Sequence, residues 1–140
     1  VYNMTDVRRI EYYYTEVPDR PGAGAKVLNA LKAARVNLIA YNGFPTTRGR
    51  AQLDFVPSNG RAFLAAARKA GIKLVGPKTA FLIQGDDRVG VVADIVSKLG
   101  QARLNVVAMN AIAAGRRRYG AILWVKPRNV AKAAEILGTA

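Results

Sequence analysis

One half of this chain repeats the other. Val17-Pro18-Asp19-Arg20-Pro21-Gly22 leads to Val36-Asn37-Leu38, and Gly85-Asp86-Asp87-Arg88-Val89-Gly90 leads to Leu104-Asn105-Val106; Arg20 to Arg88 and Asn37 to Asn105 are both steps of 68 positions. Between these anchors Leu28 matches Val96, Leu31 matches Leu99 and Ala34-Arg35 matches Ala102-Arg103 at the same step. A fixed step makes each copy one structural unit, so the repeat sets the architecture before any single residue is interpreted. Farther on, Arg48 and Arg50 fall opposite Arg116 and Arg118, while Leu53, Pro57 and Asn59 align with Leu123, Pro127 and Asn129 at a step of 70. Two extra residues are therefore expected in the second hairpin or its strand.

Within the first copy, Arg8 to Val17 is rich in β-branched and aromatic residues, including Tyr12-Tyr13-Tyr14, and reads as a strand. Pro18 and Pro21 end it, and Pro21 suits the start of a helix whose apolar face is Val27, Leu28, Leu31 and Ala34. Val36 to Phe44 and Ala51 to Val56 read as paired strands around a Thr46 to Gly49 turn. Ser58 or Asn59 caps a helix that buries Phe63, Leu64 and Ala67, and Ile72 to Val75 makes a fourth strand. The order is β-α-β-β-α-β, the ferredoxin-like arrangement, of class α+β. The second copy starts at Thr79 to Gln84, with a helix from about Arg88 to Ala102, strands near Leu104 to Ala113 and Tyr119 to Val125, and a helix from Asn129 to Leu137. Its last edge strand falls outside these residues. Residues Val1 to Thr5, or a partner chain, are expected to cover that edge, and Gly76-Pro77 divides the units into residues 1–76 and 77–140.

Units of about half of 140 residues make marginal cores on their own, which predicts halves that pack together and a chain that pairs with another. The sequence holds no Cys and no His, which removes thiol nucleophiles, imidazole bases and most transition-metal sites and argues against an enzyme. No cofactor is indicated. Apolar runs such as Ala121 to Val125 are far shorter than a membrane span, no signal-peptide layout opens the chain, and a cytoplasmic protein is the expectation. The charge pulls another way: 22 basic against 9 acidic residues give +13, an attraction for polyanions concentrated only at Arg116-Arg117-Arg118 and at Arg48 and Arg50. Solvated hairpin tips and an anion contact both account for these arginines.

What both copies keep is a turn, a helix start and an Asn at a strand start. Backbone N–H groups at a helix N-terminus favour a carboxylate or phosphate. Gly22 and Gly90 allow close approach, Asp19 and Asp87 suit either the helix dipole or a ligand ammonium, and Asn37 and Asn105 carry donors and an acceptor together. Such a set complements an α-amino acid.

Asp19-Arg20-Pro21-Gly22, the amphipathic helix with Val27, Leu28 and Leu31, and Val36-Asn37-Leu38-Ile39 resemble an ACT domain, and Gly85 to Ala108 resembles it again. The resemblance implies two ferredoxin-like ACT-type units, the second lacking its last edge strand within this chain. It implies a non-catalytic regulatory protein that binds an amino acid between paired domains and acts on a metabolic enzyme or regulator, as a homodimer or higher oligomer. Ligand contacts carried over from the family fall on Asp19, Arg20, Pro21, Gly22, Ala23, Asn37, Leu38 and Ile39, and on Asp87, Arg88, Val89, Gly90, Asn105, Val106 and Val107. Backbone amides of the turn would hold the carboxylate, with Asn37 or Asn105 at the amino group and Leu38, Ile39, Val106 and Val107 lending their backbone while their side chains join the core. Val89 stands where the family has proline, which predicts two unequal sites. The alternative is a basic ferredoxin-like protein that binds nucleic acid through tyrosines and arginines; a strand puts at most two of the three tyrosines on one face.

Overall fold

The computed structural model describes residues 5–139. The fold is α+β, with four helices and a six-stranded antiparallel sheet ordered β2-β3-β1-β4-β6-β5. The strands are β1 (Thr5–Pro18), β2 (Leu38–Pro45), β3 (Arg50–Pro57), β4 (Val75–Asp86), β5 (Ala108–Gly115) and β6 (Arg118–Trp124); the helices are α1 (Ala23–Ala33), α2 (Gly60–Lys69), α3 (Val91–Gln101) and α4 (Val130–Leu137).

Residues 11–78 form one compact unit, and residues 1–10 with 79–140 form the other. In the first, the later half of β1 lies beside β3, and β3 beside β2, with Tyr13, Phe55 and Tyr41 opposite one another across the strands. Opposite residues share a face, so these rings point to the side that α1 and α2 cover. Tyr13, Phe55 and Phe63 meet with ring centroids 5.4 and 5.5 Å apart, Leu31 of α1 closes the core, and Asn59 caps α2 by accepting a 3.0 Å bond from the Ala62 amide. In the other unit Phe81, Ile83, Leu99, Leu123 and Ala133 are fully buried. Phe81 opposite Leu123 reproduces Tyr13 opposite Phe55, both at a step of 68.

The ladders relocate the two extra residues. Thr15 faces Leu53 and Ile83 faces Ala121, Tyr41 faces Phe55 and Met109 faces Leu123, so the step of 68 holds through both hairpins. Leu53 therefore corresponds to Ala121, not to Leu123. The step becomes 70 only beyond β6, where a 3-10 turn (Pro127–Asn129) precedes α4. Matching Leu to Leu misplaced the insertion because the pleat, not residue identity, fixes which positions are equivalent.

The strand expected at Ile72 to Val75 and the one expected at Thr79 to Gln84 are a single strand of 12 residues, β4. Gly76-Pro77, read from sequence as the boundary, lies inside it. Gly76 has φ +139, and a Cβ there would come within 2.9 Å of the Tyr12 carbonyl oxygen and of Tyr13 Cδ2; the glycine is what lets β4 approach β1. No strand follows α4 among the described residues. Its place in the second-copy unit is taken by the first half of β1, next to β4, with Val7 packed on that unit's core. The covering segment is thus longer than the expected Val1 to Thr5, of which Val1 to Met4 lie outside the described residues.

Candidate functional site

The two repeated turns are superposable in their hydrogen bonding. Ala23 N–H donates to the Arg20 carbonyl and Val91 N–H to the Arg88 carbonyl, each at 3.3 Å, with Gly22 and Gly90 both at φ 86. A positive φ at the third position of a four-residue turn is a type II geometry, for which proline at the second position is favourable and glycine at the third is needed. Val89 adopts the same turn without proline. Proline against valine therefore does not separate the copies in backbone shape. Each turn is also tied to its hairpin tip, because Asp19 N–H donates to the Gly49 carbonyl at 2.9 Å and Asp87 N–H to the Arg117 carbonyl at 2.7 Å. Neither helix has a side-chain cap, and Arg20 and Arg88 in the two turns are exposed.

Charge is what distinguishes them. In the second copy Arg88 folds back onto Asp94, 2.7 Å away in the first turn of α3, and Arg118 pairs with Asp86 at 2.7 Å across β4 and β6. In the first copy the positions of those two carboxylates hold Lys26 and Pro18. Arg20, Lys26 and Arg50 consequently have no carboxylate partner among the described residues. A lysine in the first turn of a helix is repelled by the helix dipole, whereas Asp94 is favoured there. Arg20 and Arg50 of the first copy stand without a carboxylate among the described residues, whereas Arg88 and Arg118 of the second are each paired with one.

The strand starts lie elsewhere. α1 is 11 residues long, about 16 Å at 1.5 Å per residue, and Asn37 follows its C-terminal end. The Asn37 carbonyl accepts from the Ser58 amide at 3.0 Å, at the end of the unit away from the hairpin tip that holds Asp19. Asn37 and Asn105 are exposed, and neither is brought to the turn of its own unit. Leu38 and Val106 pack on their cores as expected, but Ile39 and Val107 are 41% and 55% exposed. Val107 N–H donates to the Trp124 carbonyl at 2.8 Å. Ala23 packs on the core behind the Asp19–Gly22 turn, and Val89 is fully exposed.

Comparison with solved structures then places this architecture. A protein from Bacteroides thetaiotaomicron superposes with a TM-score of 0.81 at 14% identity, over 94% of this chain and 88% of that one. The regulatory subunit of aspartate kinase from Thermus thermophilus, in its ligand-free form, gives 0.64 at 18% identity over 99% and 96%; that from Thermus flavus gives 0.60 at 19% over 99% and 95%. The fold is that of a tandem ACT-domain protein. No protein-family model matches the sequence, and no curated protein matches it.

Three features of these units lie outside what the two copies share. Asp94 against Lys26 and Asp86 against Pro18 are differences at the same step. Tyr119, where the first copy has Ala51, is 4% exposed, with its hydroxyl buried. Burial pushes this phenol up, while the Thr5 side chain and the Arg88 and Arg118 guanidiniums pull the other way. Asp54 is the third: it is 5% exposed on the sheet face opposite the helices, between Tyr14 and Asn42 across the strands, and accepts a 2.8 Å bond from Gln52 Nε2. Burial raises its pKa against the opposing effects of Gln52 and Lys78. The strand alternation does put Tyr12 and Tyr14 on one face, but with this carboxylate set between their neighbours the face is a poor platform for a phosphate backbone. Among the described residues no cluster of three or more acidic side chains forms a metal site, and no helix is long and apolar enough to cross a membrane.

Proposed function

We propose that this chain is a non-catalytic regulatory protein whose ligand is a small amino acid, with the ligand's carboxylate at the Asp19–Gly22 turn of the first ACT-type unit. The supporting observation is the uncompensated charge at an uncapped helix start: Arg20, Lys26 and Arg50 have no carboxylate partner among the described residues, while their second-copy counterparts are paired or replaced by acid. Asp19 in the same turn is the group for the ligand's ammonium. The neighbours of known role are regulatory subunits of aspartate kinase, and by analogy the partner of this chain is a biosynthetic enzyme or a regulator, met as a dimer or larger assembly. Binding acts by favouring one of several arrangements of the protein, which requires different affinities in them.

Calorimetry or thermal shift against each amino acid tests this directly. One amino acid is expected to bind with unit stoichiometry per chain. Lys26→Asp, which installs in the first copy the pairing that Arg88 and Asp94 make in the second, is expected to weaken it about ten-fold or more, as the loss of a charged hydrogen-bonding group does. Equal binding by Lys26→Asp and the parent, or no response to any amino acid, overturns the reading.

A further inference from the structure

The first unit carries a second concavity, set apart from the turn by its chemistry. A cleft of about 400 Å³ lies along the flank of α1, lined by Thr15, Val17, Lys26, Val27, Ala30 and Ile72, with Lys73 at its rim. That volume is near the lower end for small-molecule sites, roughly 300–1,000 Å³. Its floor is a notch in the hydrophobic core: Val17 belongs to the core, and Val27 and Ile72 pack against it. Into this notch faces one polar residue of the strand, Thr15, which is 6% exposed. Thr15 stands opposite Leu53 on the helix-covered face, so its hydroxyl is a polar group set among the aliphatic side chains of the cleft wall.

The charges around the cleft have one sign. Lys26 and Lys73 are exposed and form no ion pair among the described residues. Glu16 also borders the cleft, but it stands opposite Gln52 in the ladder, and strand alternation sends its side chain to the face away from Thr15 and Val17. The cleft therefore offers two ammonium groups, one hydroxyl and an aliphatic wall, with no carboxylate directed inward to receive a ligand ammonium. We infer that it is a binding site for a short aliphatic carboxylate, its chain against Val17, Val27, Ala30 and Ile72 and its carboxylate held by Lys26, Lys73 and the Thr15 hydroxyl. Lys26 is common to this site and the turn, whereas Thr15, Lys73 and the aliphatic wall belong to this site alone.

The probe is 3-methylbutanoate, titrated into the isotope-labelled full chain and followed by amide chemical shifts. Saturable shifts are expected at Val17, Val27, Ala30 and Ile72, with 3-methylbutylamine, the same shape with the opposite charge, giving none. Lys73→Met is expected to weaken binding about ten-fold and Thr15→Val several-fold, both with the parent's dispersed spectrum, since one residue is exposed and the other keeps the β-branched shape and loses only the hydroxyl. Non-saturating shifts, equal binding of the amine, or shifts confined to residues 19–22 would each overturn the inference. The last pattern would leave the turn proposal standing, whereas shifts in the cleft alone with no amino-acid response would remove the turn proposal and keep this one.

Discussion

Single residues decide where this protein tolerates change. Gly22 has φ 86, and nothing lies within 4 Å of the place a Cβ would take, so Gly22→Ala costs only the left-handed backbone, about 1–2 kcal/mol. Gly76→Ala meets both a positive φ and two atoms at 2.9 Å, and chemical denaturation is expected to show a clearly larger loss than for Gly22→Ala. Asp54 supplies a pH signature. Its carboxyl is raised in the folded protein, so the folded state keeps the proton to higher pH than the unfolded chain, and this group's contribution to stability declines as pH climbs from the ordinary carboxylate range through the raised value. Asp54→Asn should therefore raise the Tm at neutral pH and lose that advantage in acid, where the native Asp54 is protonated in both states. Melting curves of the two proteins across pH check the sign.

At the scale of elements, the repeat fixes helix ends as faithfully as ladders. α1 and α3 both close with an arginine in the left-handed region, Arg35 at φ 60 and Arg103 at φ 61, followed by Val36 N–H to the Leu31 carbonyl and Leu104 N–H to the Leu99 carbonyl. Glycine is the usual occupant of such a position. Arg35→Gly and Arg103→Gly are each expected to stabilise the protein by about 1 kcal/mol in urea titrations, the strain being relieved where the side chain does nothing else in the fold. Element order and the hairpins were legible in the sequence because periodicity and turn residues report local structure; the helices expected from Pro21 and about Arg88 begin at Ala23 and Val91, because the type II turns take up the residues before them. The continuity of β4 was not, since Gly76-Pro77 carries every local sign of a break and only its contact with Tyr12 and Tyr13 makes it strand. Of the proposed site, the turns stand out in the sequence as repeats, but their difference in charge lies in Lys26 and Asp94, positions that identity between the copies does not mark, and the distance of Asn37 from Gly22 follows from helix length and not from any motif.

For the whole molecule, residues 5–10 matter as the strand that completes the second-copy unit. Deletion of residues 1–10 removes the strand beside β4 in the unit that contains residues 79–140. Hydrogen exchange is expected to show lost protection at the β4 amides from Ala80 to Asp86 and weaker protection through α3 and β6, with Phe55 and Phe63 in the other unit changed less. Equal loss in both units would contradict the division of β1 between them. β1 also carries a parity constraint. Val7, Tyr13 and Val17, all at odd positions of one uninterrupted strand, are the residues that pack on the two cores. A single residue inserted between Ile10 and Glu11 would turn one of these sets inside out, whereas two inserted residues would keep both in phase. Length variation at that point is therefore quantised in pairs, a rule that a flexible linker between the units would never have imposed.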